Sequence, residues 1–213
     1  MTVVLINGSP KINNSASGIL LEDLRKFFPK EVQITEAGMH KECISEEGLR
    51  KLEHADAWVF AFPLYVDGIP AHLLSCLVQL EKSHVKDRKR CISGIVNCGF
   101  YEGIQAETGL SILENWSIKA GYIWGGGIGV GGGGGLAMMP SPKSGKGPKA
   151  PIDKELKVLA GNIMEGKAQR NRYVSVAFPW VLYKMAAQAG WRQMIRANGG
   201  KIRDLGRNVL TAG

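Results

Sequence analysis

Apolar positions in this chain come in short continuous runs, separated by stretches with a helical period. Thr2–Asn7 (TVVLIN), Trp58–Phe62 (WVFAF) and Cys91–Asn97 (CISGIVN) are short, β-branched or aromatic, and unbroken by charge. Strands covered on both faces read this way. Glu31–Glu36 is more polar and suits a sheet edge, and Tyr122–Trp124 is a last short strand. Between them the period changes to 3.6. Leu20, Leu24, Phe27 and Phe28 mark a helix over about Ser17–Phe28, with Pro29 as its stop. Ile44–His54 is a second helix. A third begins with Pro70 at its first position and reaches about Lys82 through Leu73, Leu74, Leu77 and Leu80. Ile104–Ser117 is a fourth, with Leu110, Leu113 and Trp116. Lys86–Arg90 reads as a basic turn.

Five β-α units of this kind predict a parallel sheet with helices on both faces. Right-handed crossovers and a short first half favour a five-stranded sheet of order 2-1-3-4-5 in a three-layer α/β sandwich. After Trp124 the pattern breaks. Gly125–Gly135 holds nine glycines in eleven residues and reads as a flexible rim. The chance GxGxxG match at Gly129–Gly134 has no helical pattern after it, so no dinucleotide fingerprint is assigned. Met138–Pro151 reads as a loop or linker. Pro151–Lys167 is a fifth covering helix, and Pro179–Asn198 a further helix ended by Gly199–Gly200.

Composition narrows the picture. The 213 residues are 45% hydrophobic and 22% charged, as a globular chain is. The net charge of +8 calls for an anionic partner, with nucleotide phosphate, nucleic acid and a membrane surface as the classes to weigh. Much of the excess lies in Lys82–Arg90 and from Lys143 onward, where a solvated face is the simpler reading. Cys43, Cys76, Cys91 and Cys98 fit no metal ribbon, CxxC pair or iron–sulfur spacing, so free thiols and a reducing, cytoplasmic setting are expected. His40, His54, His72 and His84 lack metal-ligand spacing, and His72 is expected as a surface or packed helix residue. The N-terminus enters a strand directly, without a leader-like segment. The apolar stretch near the C-terminus carries Pro179 and Lys184 and is too short to cross a bilayer, so no integral membrane insertion is expected.

In open parallel sheets ligands bind beyond the carboxyl ends of the strands, near the reversal of strand order. Three loops occupy that edge. Gly8–Ser17 opens a helix and carries Ser9, Ser15 and Ser17. It suits a terminal monophosphate and equally an ordinary capping loop. Pro63–Gly68 (PLYVDG) sets Leu64, Tyr65 and Val66 in a row at a loop tip, to cover a flat heterocycle, a partner chain or the protein's own core. Asn97–Gly103 (NCGFYEG) joins an amide side chain to the aromatic pair Phe100 and Tyr101. Their joint occurrence after strands one, three and four is more specific than any one of them.

Gly8–Lys11 with Ser15 and Ser17, Pro63–Pro70 (PLYVDGIP), Asn97–Gly99 and the glycine tract together resemble the flavodoxin-like NAD(P)H-dependent FMN oxidoreductases over residues 1–135. The first loop is about one residue longer than the common GSPRKNGNT form, and the cysteine cluster of related iron–sulfur flavoproteins is missing. The resemblance implies that Ser9, Lys11, Ser15 and Ser17 hold the FMN phosphate. It places Pro63, Leu64, Tyr65 and Val66 along the isoalloxazine, and Asn97, Gly99 and Phe100 at its pyrimidine side. It implies a flavodoxin-like FMN-binding domain over residues 1–170 and a C-terminal helical extension over 171–213, packed on the domain or on a partner subunit. It implies a homodimer without nucleic acid, passing electrons from NAD(P)H through FMN to a small-molecule acceptor such as a flavin or quinone by ping-pong hydride transfer. No catalytic side chain is assigned, because the hydride step needs no obligatory acid or base. The alternative is a flavodoxin-type electron carrier without nicotinamide turnover, against which the basic charge argues. A third reading is a binding module that uses the basic tail helix.

Overall fold

A computed structural model describes residues 1–83, 90–138 and 146–206. The chain divides into two compact units, Met1–Ala177 and Phe178–Gly213. The first unit is built on strands β1 (Thr2–Asn7), β2 (Gln33–Gly38), β3 (Ala57–Pro63), β4 (Cys91–Asn97), β5 (Ile123–Val130) and β6 (Arg172–Val174), with helices α1 (Ala16–Arg25), α2 (Glu46–Glu53), α3 (Ala71–Lys82), α4 (Glu107–Lys119) and α5 (Ala150–Glu165). The six strands lie parallel in the order β2-β1-β3-β4-β5-β6.

Alternation along the strands sorts side chains between the faces. Val4, Ile6, Trp58, Phe60, Phe62, Ile92 and Val96 meet Leu52 of α2, Leu73, Leu77 and Leu80 of α3, and Leu110, Leu113 and Trp116 of α4 in one core. Helices α1 and α5 pack together on the opposite face, and their Leu20, Leu24, Leu156 and Leu159 are buried there. Burying each Leu or Phe contributes about 1.5–3 kcal/mol. The two core tryptophans also satisfy their polar atoms. The indoles of Trp58 and Trp116 donate to the carbonyls of Leu52 at 3.2 Å and Leu77 at 3.1 Å.

Two expectations need correction. The sheet has six strands rather than five, because the three-residue β6 joins its outer edge. It is too short and too polar to register as an apolar run. The glycine tract is not a flexible rim throughout. Gly125, Gly126, Gly127 and Gly129 lie inside β5, which runs on to Val130 and is buried beyond Trp124. Glycine leaves no hydrophobic period to read, yet here backbone packs against backbone. A Cβ on Gly131 would come within 2.0 Å of the Tyr101 carbonyl oxygen, and one on Gly103 within 2.3 Å of that of Val174. The other elements match to within a few residues, except that Pro70 caps α3 from outside and a 3-10 turn at Gly103–Ala106 precedes α4. The basic turn Lys86–Arg90, apart from Arg90, and residues 139–145 of the linker lie outside the described residues.

Among its described residues the second unit contains helix α6 (Trp180–Ala197), followed by a 3-10 turn at Ile202–Gly206. Gly199 takes the left-handed conformation, φ 77°, that ends it. Among the described residues no helix is long and apolar enough to cross a membrane.

Candidate functional site

Strands β1, β3 and β4 are neighbours, so Asn7, Pro63 and Asn97 end together at one edge of the sheet. The loops that follow them interlock.

The first loop is organised by Asn7. Its Oδ1 accepts from the Ser9 amide at 3.1 Å, and its Nδ2 donates to Ser15 Oγ at 3.2 Å. Ser15 is the N-cap of α1 and accepts from the Gly18 amide at 3.0 Å. Ser9 Oγ accepts from the Lys11 amide at 3.2 Å. Ser9 and Ser15 are buried, and in these bonds each acts as acceptor only, keeping its own proton to donate. Among the described residues nothing accepts from the backbone N–H groups of Ile12 through Ser17. The first turn of α1 carries no acidic residue. Free amides, hydroxyl protons and an unneutralised helix N-terminus are donor chemistry that suits an oxyanion. A cavity of about 590 Å³ opens on the β2 side of the loop, lined by Asn13, Ser15, Glu36 and His40 among others.

Two histidines hold the loop from outside. His40 Nδ1 lies 2.6 Å from the Ser9 carbonyl oxygen, and His72 Nε2 lies 3.1 Å from that of Gly8. A carbonyl only accepts, so these ring nitrogens carry the protons.

Ser17 has a different role from its neighbours. It is buried, and its hydroxyl donates to Asn97 Oδ1 at 2.8 Å, tying the first loop to the third. The Asn97 carbonyl in turn accepts from the Leu64 amide at 2.8 Å, tying the third loop to the second.

In the second loop, Tyr65 and Gly68 exchange backbone hydrogen bonds of 3.1 and 3.0 Å. The central residues Val66 and Asp67 both have positive φ, 47° and 57°. This is the signature of a type I′ turn, whose natural occupants are Asn and Gly. A β-branched residue is strained there. Leu64 packs inward against the core, while Tyr65 is half exposed and Val66 fully so.

The third loop is braced by the glycines after β5. Gly133 N–H donates to the Cys98 carbonyl at 2.8 Å, and Gly132 N–H to that of Phe100 at 2.6 Å. Cys98 is buried and its thiol is pushed up by desolvation, as an inert packing residue is. Phe100 is exposed at the tip, with Gly99 beside it, and Lys11 is exposed in the first loop.

The structure thus links Ser9 to Ser15 through Asn7, and Ser17 to Leu64 through Asn97. Lys11, Tyr65, Val66, Gly99 and Phe100 face solvent around them, and Pro63 is half-buried at the end of β3. The sequence reading missed Asn7, His40, His72 and the brace Gly131–Gly133. Asn7 mirrors Asn97 at the end of an apolar strand, a signal that was available. The histidines sit 32 residues apart and carried none.

No family model matches the chain, and no curated protein matches it. Solved structures do. A flavone reductase superposes with a TM-score of 0.61 at 11% identity, over 80% of this chain and 66% of that one. A WrbA-like flavodoxin from Agrobacterium tumefaciens gives 0.53 at 18% identity, over 78% of this chain and 98% of that one. An azoreductase from Bacillus anthracis str. Sterne gives 0.50 at 16% identity, over 77% and 99%. Identities this low speak for the backbone alone, and by that measure the chain is a flavodoxin-like α/β protein.

Proposed function

We propose that the chain is an FMN-dependent oxidoreductase that passes electrons from NAD(P)H to a small acceptor such as a flavin or quinone. One observation carries the reading. Among the described residues, the loop after β1 offers unpaired amides from Ile12 to Ser17 and the free protons of the Ser9 and Ser15 hydroxyls beside a helix N-terminus. That donor set fits a phosphate monoester, and the exposed Tyr65, Val66 and Phe100 supply apolar surface for a flat ring. The names of the structural neighbours, among them reductases of flavone and azo compounds, agree with redox work on this fold.

FMN, when bound, supplies a ring able to take up a hydride and release its electrons onward. The protein's part is to position and to shield. Ser9, Ser15 and the loop amides would hold the phosphate, with the exposed Lys11 adding positive charge. Ser17 would give its amide to the same anion while its hydroxyl keeps Asn97 in place. Pro63, Leu64, Tyr65 and Val66 would flank the ring, and Asn97, Gly99 and Phe100 would border it on the other side. No side chain is assigned a proton-transfer role.

The visible spectrum of purified protein tests the proposal, before and after incubation with excess FMN. A bound-flavin spectrum, followed by NADPH oxidation coupled to a soluble quinone, is the expected result. A chain that takes up no FMN overturns it. Flavin uptake without nicotinamide turnover would mark an electron carrier instead, a reading that the net charge of +8 disfavours.

A further inference from the structure

Helix α6 spans 18 residues and buries none of them. Trp180, Val181, Leu182, Met185, Trp191 and Met194 are each about half exposed or more. Isolated apolar residues on a surface are ordinary, but Trp180, Trp191 and Met194 exposed along one side of a helix mark a contact face, while Val181, Leu182 and Met185 lie outside that side. At 100° per residue, Tyr183, Met194, Ala187, Trp180 and Trp191 fall within an arc of about 80°. The polar stripe Lys184, Gln188, Arg192 and Arg196, at steps of four, runs along one flank of that arc. The Lys184 ammonium lies over the Trp180 ring, 5.2 Å from its centroid.

Charge says what covers this face. Residues 178–213 contain six Lys or Arg and one Asp, a net charge of +5 within the chain's total of +8. From Lys167 to Arg203 there is no acidic residue. Two such helices from two copies of the chain would set +5 against +5. The 177 residues before them carry the remaining +3, so they offer no net opposite charge. A polyanion suits the face better. The aromatic arc beside the cations selects a lipid surface over a nucleic acid, because it needs an apolar medium to enter while Lys and Arg reach up to the headgroups.

We propose that α6 is a peripheral membrane anchor, lying along the surface of an anionic bilayer with Trp180, Trp191 and Met194 in the interface and Lys184, Arg192 and Arg196 on lipid headgroups. The anchor is separate from the redox reading, since a chain that binds no flavin would still dock. It would bring the chain to a layer where apolar acceptors dissolve.

The test uses the full chain in flotation with vesicles of phosphatidylcholine alone or with about one-third phosphatidylglycerol, at low salt and at about 0.5 M salt. The chain should float with the anionic vesicles at low salt, much less at high salt, and hardly at all on phosphatidylcholine. Neutralising three cations together (Lys184→Gln, Arg192→Gln, Arg196→Gln) should weaken binding about 100-fold. Trp180→Ala with Trp191→Ala should abolish both flotation and quenching of tryptophan fluorescence by brominated lipid. All five positions are exposed or lack buried area, and a melting curve checks that each variant folds. Four results each overturn the proposal: no flotation on anionic vesicles, equal flotation on both kinds, triple-variant binding within threefold of the parent, or binding to an oligonucleotide duplex but to no vesicle. So does a dimer that the double tryptophan variant splits when the parent binds no lipid.

Discussion

The Ser17 hydroxyl donates to Oδ1 of Asn97 through a buried 2.8 Å bond between residues 80 apart in the sequence. It joins the first turn of α1 to the end of β4, and so joins the loop after β1 to the loop that carries Phe100. Since the Asn97 carbonyl also accepts from Leu64, one asparagine sets the spacing of all three loops. Buried networks of this kind rigidify a site when every member is satisfied and weaken it sharply when one is lost.

Ser17→Ala should therefore reach beyond the deleted atom. It leaves the Asn97 side-chain oxygen buried without its donor, at a cost of about 1–3 kcal/mol in urea unfolding. If the three loops act as one receptor, the FMN dissociation constant, read by flavin fluorescence, should rise as well. Unchanged stability would mean that water replaces the hydroxyl.

Much of this site could be read from residue order, and the remainder fails for identifiable reasons. Asn7, Pro63 and Asn97 close three apolar runs, and adjacent parallel strands bring such ends together. Ser15 lies in a polar loop that opens a helix, and its position as N-cap of α1 is a local property. By contrast, the bond from Ser17 to Asn97 depends on how α1 crosses the sheet, which no local pattern records. The glycine tract misled for a related reason. Gly131 lies where it does because the Tyr101 backbone comes too close for any side chain, a fact about two distant segments.

Val66 offers the opposite case to Ser17, a residue that costs stability where it stands. Its φ of 47° is poor for a β-branched side chain, and the side chain is fully exposed. Val66→Gly should raise stability by about 1 kcal/mol, seen as a higher melting temperature. The same change removes apolar surface from the second loop, so FMN should bind less tightly to the more stable protein. A melting temperature that falls would show that the turn is not strained.

Stability should also depend on pH in the alkaline range. Burial pushes the Cys76 thiol up to about 11 from an ordinary 9.0, and Cys91, Cys98 and Tyr122 are pushed the same way by desolvation. The unfolded chain then loses these protons first. Stability is complete below about pH 9 and is lost as pH rises toward 11. Urea unfolding across this range should show the decline, and Cys76→Ala should flatten it in part while lowering stability at neutral pH. An equal slope in the variant would remove Cys76 as the cause.

Asp23 is buried in α1 beside Lys149, itself buried at the start of α5, and also pairs with Lys26 at 2.6 Å. Lys149→Met would leave the carboxylate with only its exposed partner. A cost of about 3–5 kcal/mol is expected in denaturant unfolding. Replacing both residues, Asp23→Leu with Lys149→Met, should recover most of that loss, because no buried charge is then unpaired. A double variant as unstable as the single one would show that the pair also positions α5.

His40 and His72 grip the carbonyls of two consecutive residues, Ser9 and Gly8, without belonging to the loop themselves. Each bond holds a carbonyl dipole on the ring side, so that it does not turn toward a bound anion. Replacing either ring with Phe keeps much of the bulk and removes the donor. Such a bond is worth about 0.5–1.5 kcal/mol, so His72→Phe should weaken FMN binding up to about tenfold. His72→Gln, which restores an N–H donor, should recover part of the loss, whereas a site that needed only the ring's volume would favour Phe over Gln. The double variant His40→Phe with His72→Phe should lose more than either single change, since both carbonyls are then released. Titration of the parent and these variants with FMN, alongside their melting curves, separates a grip on the loop from a general loss of stability.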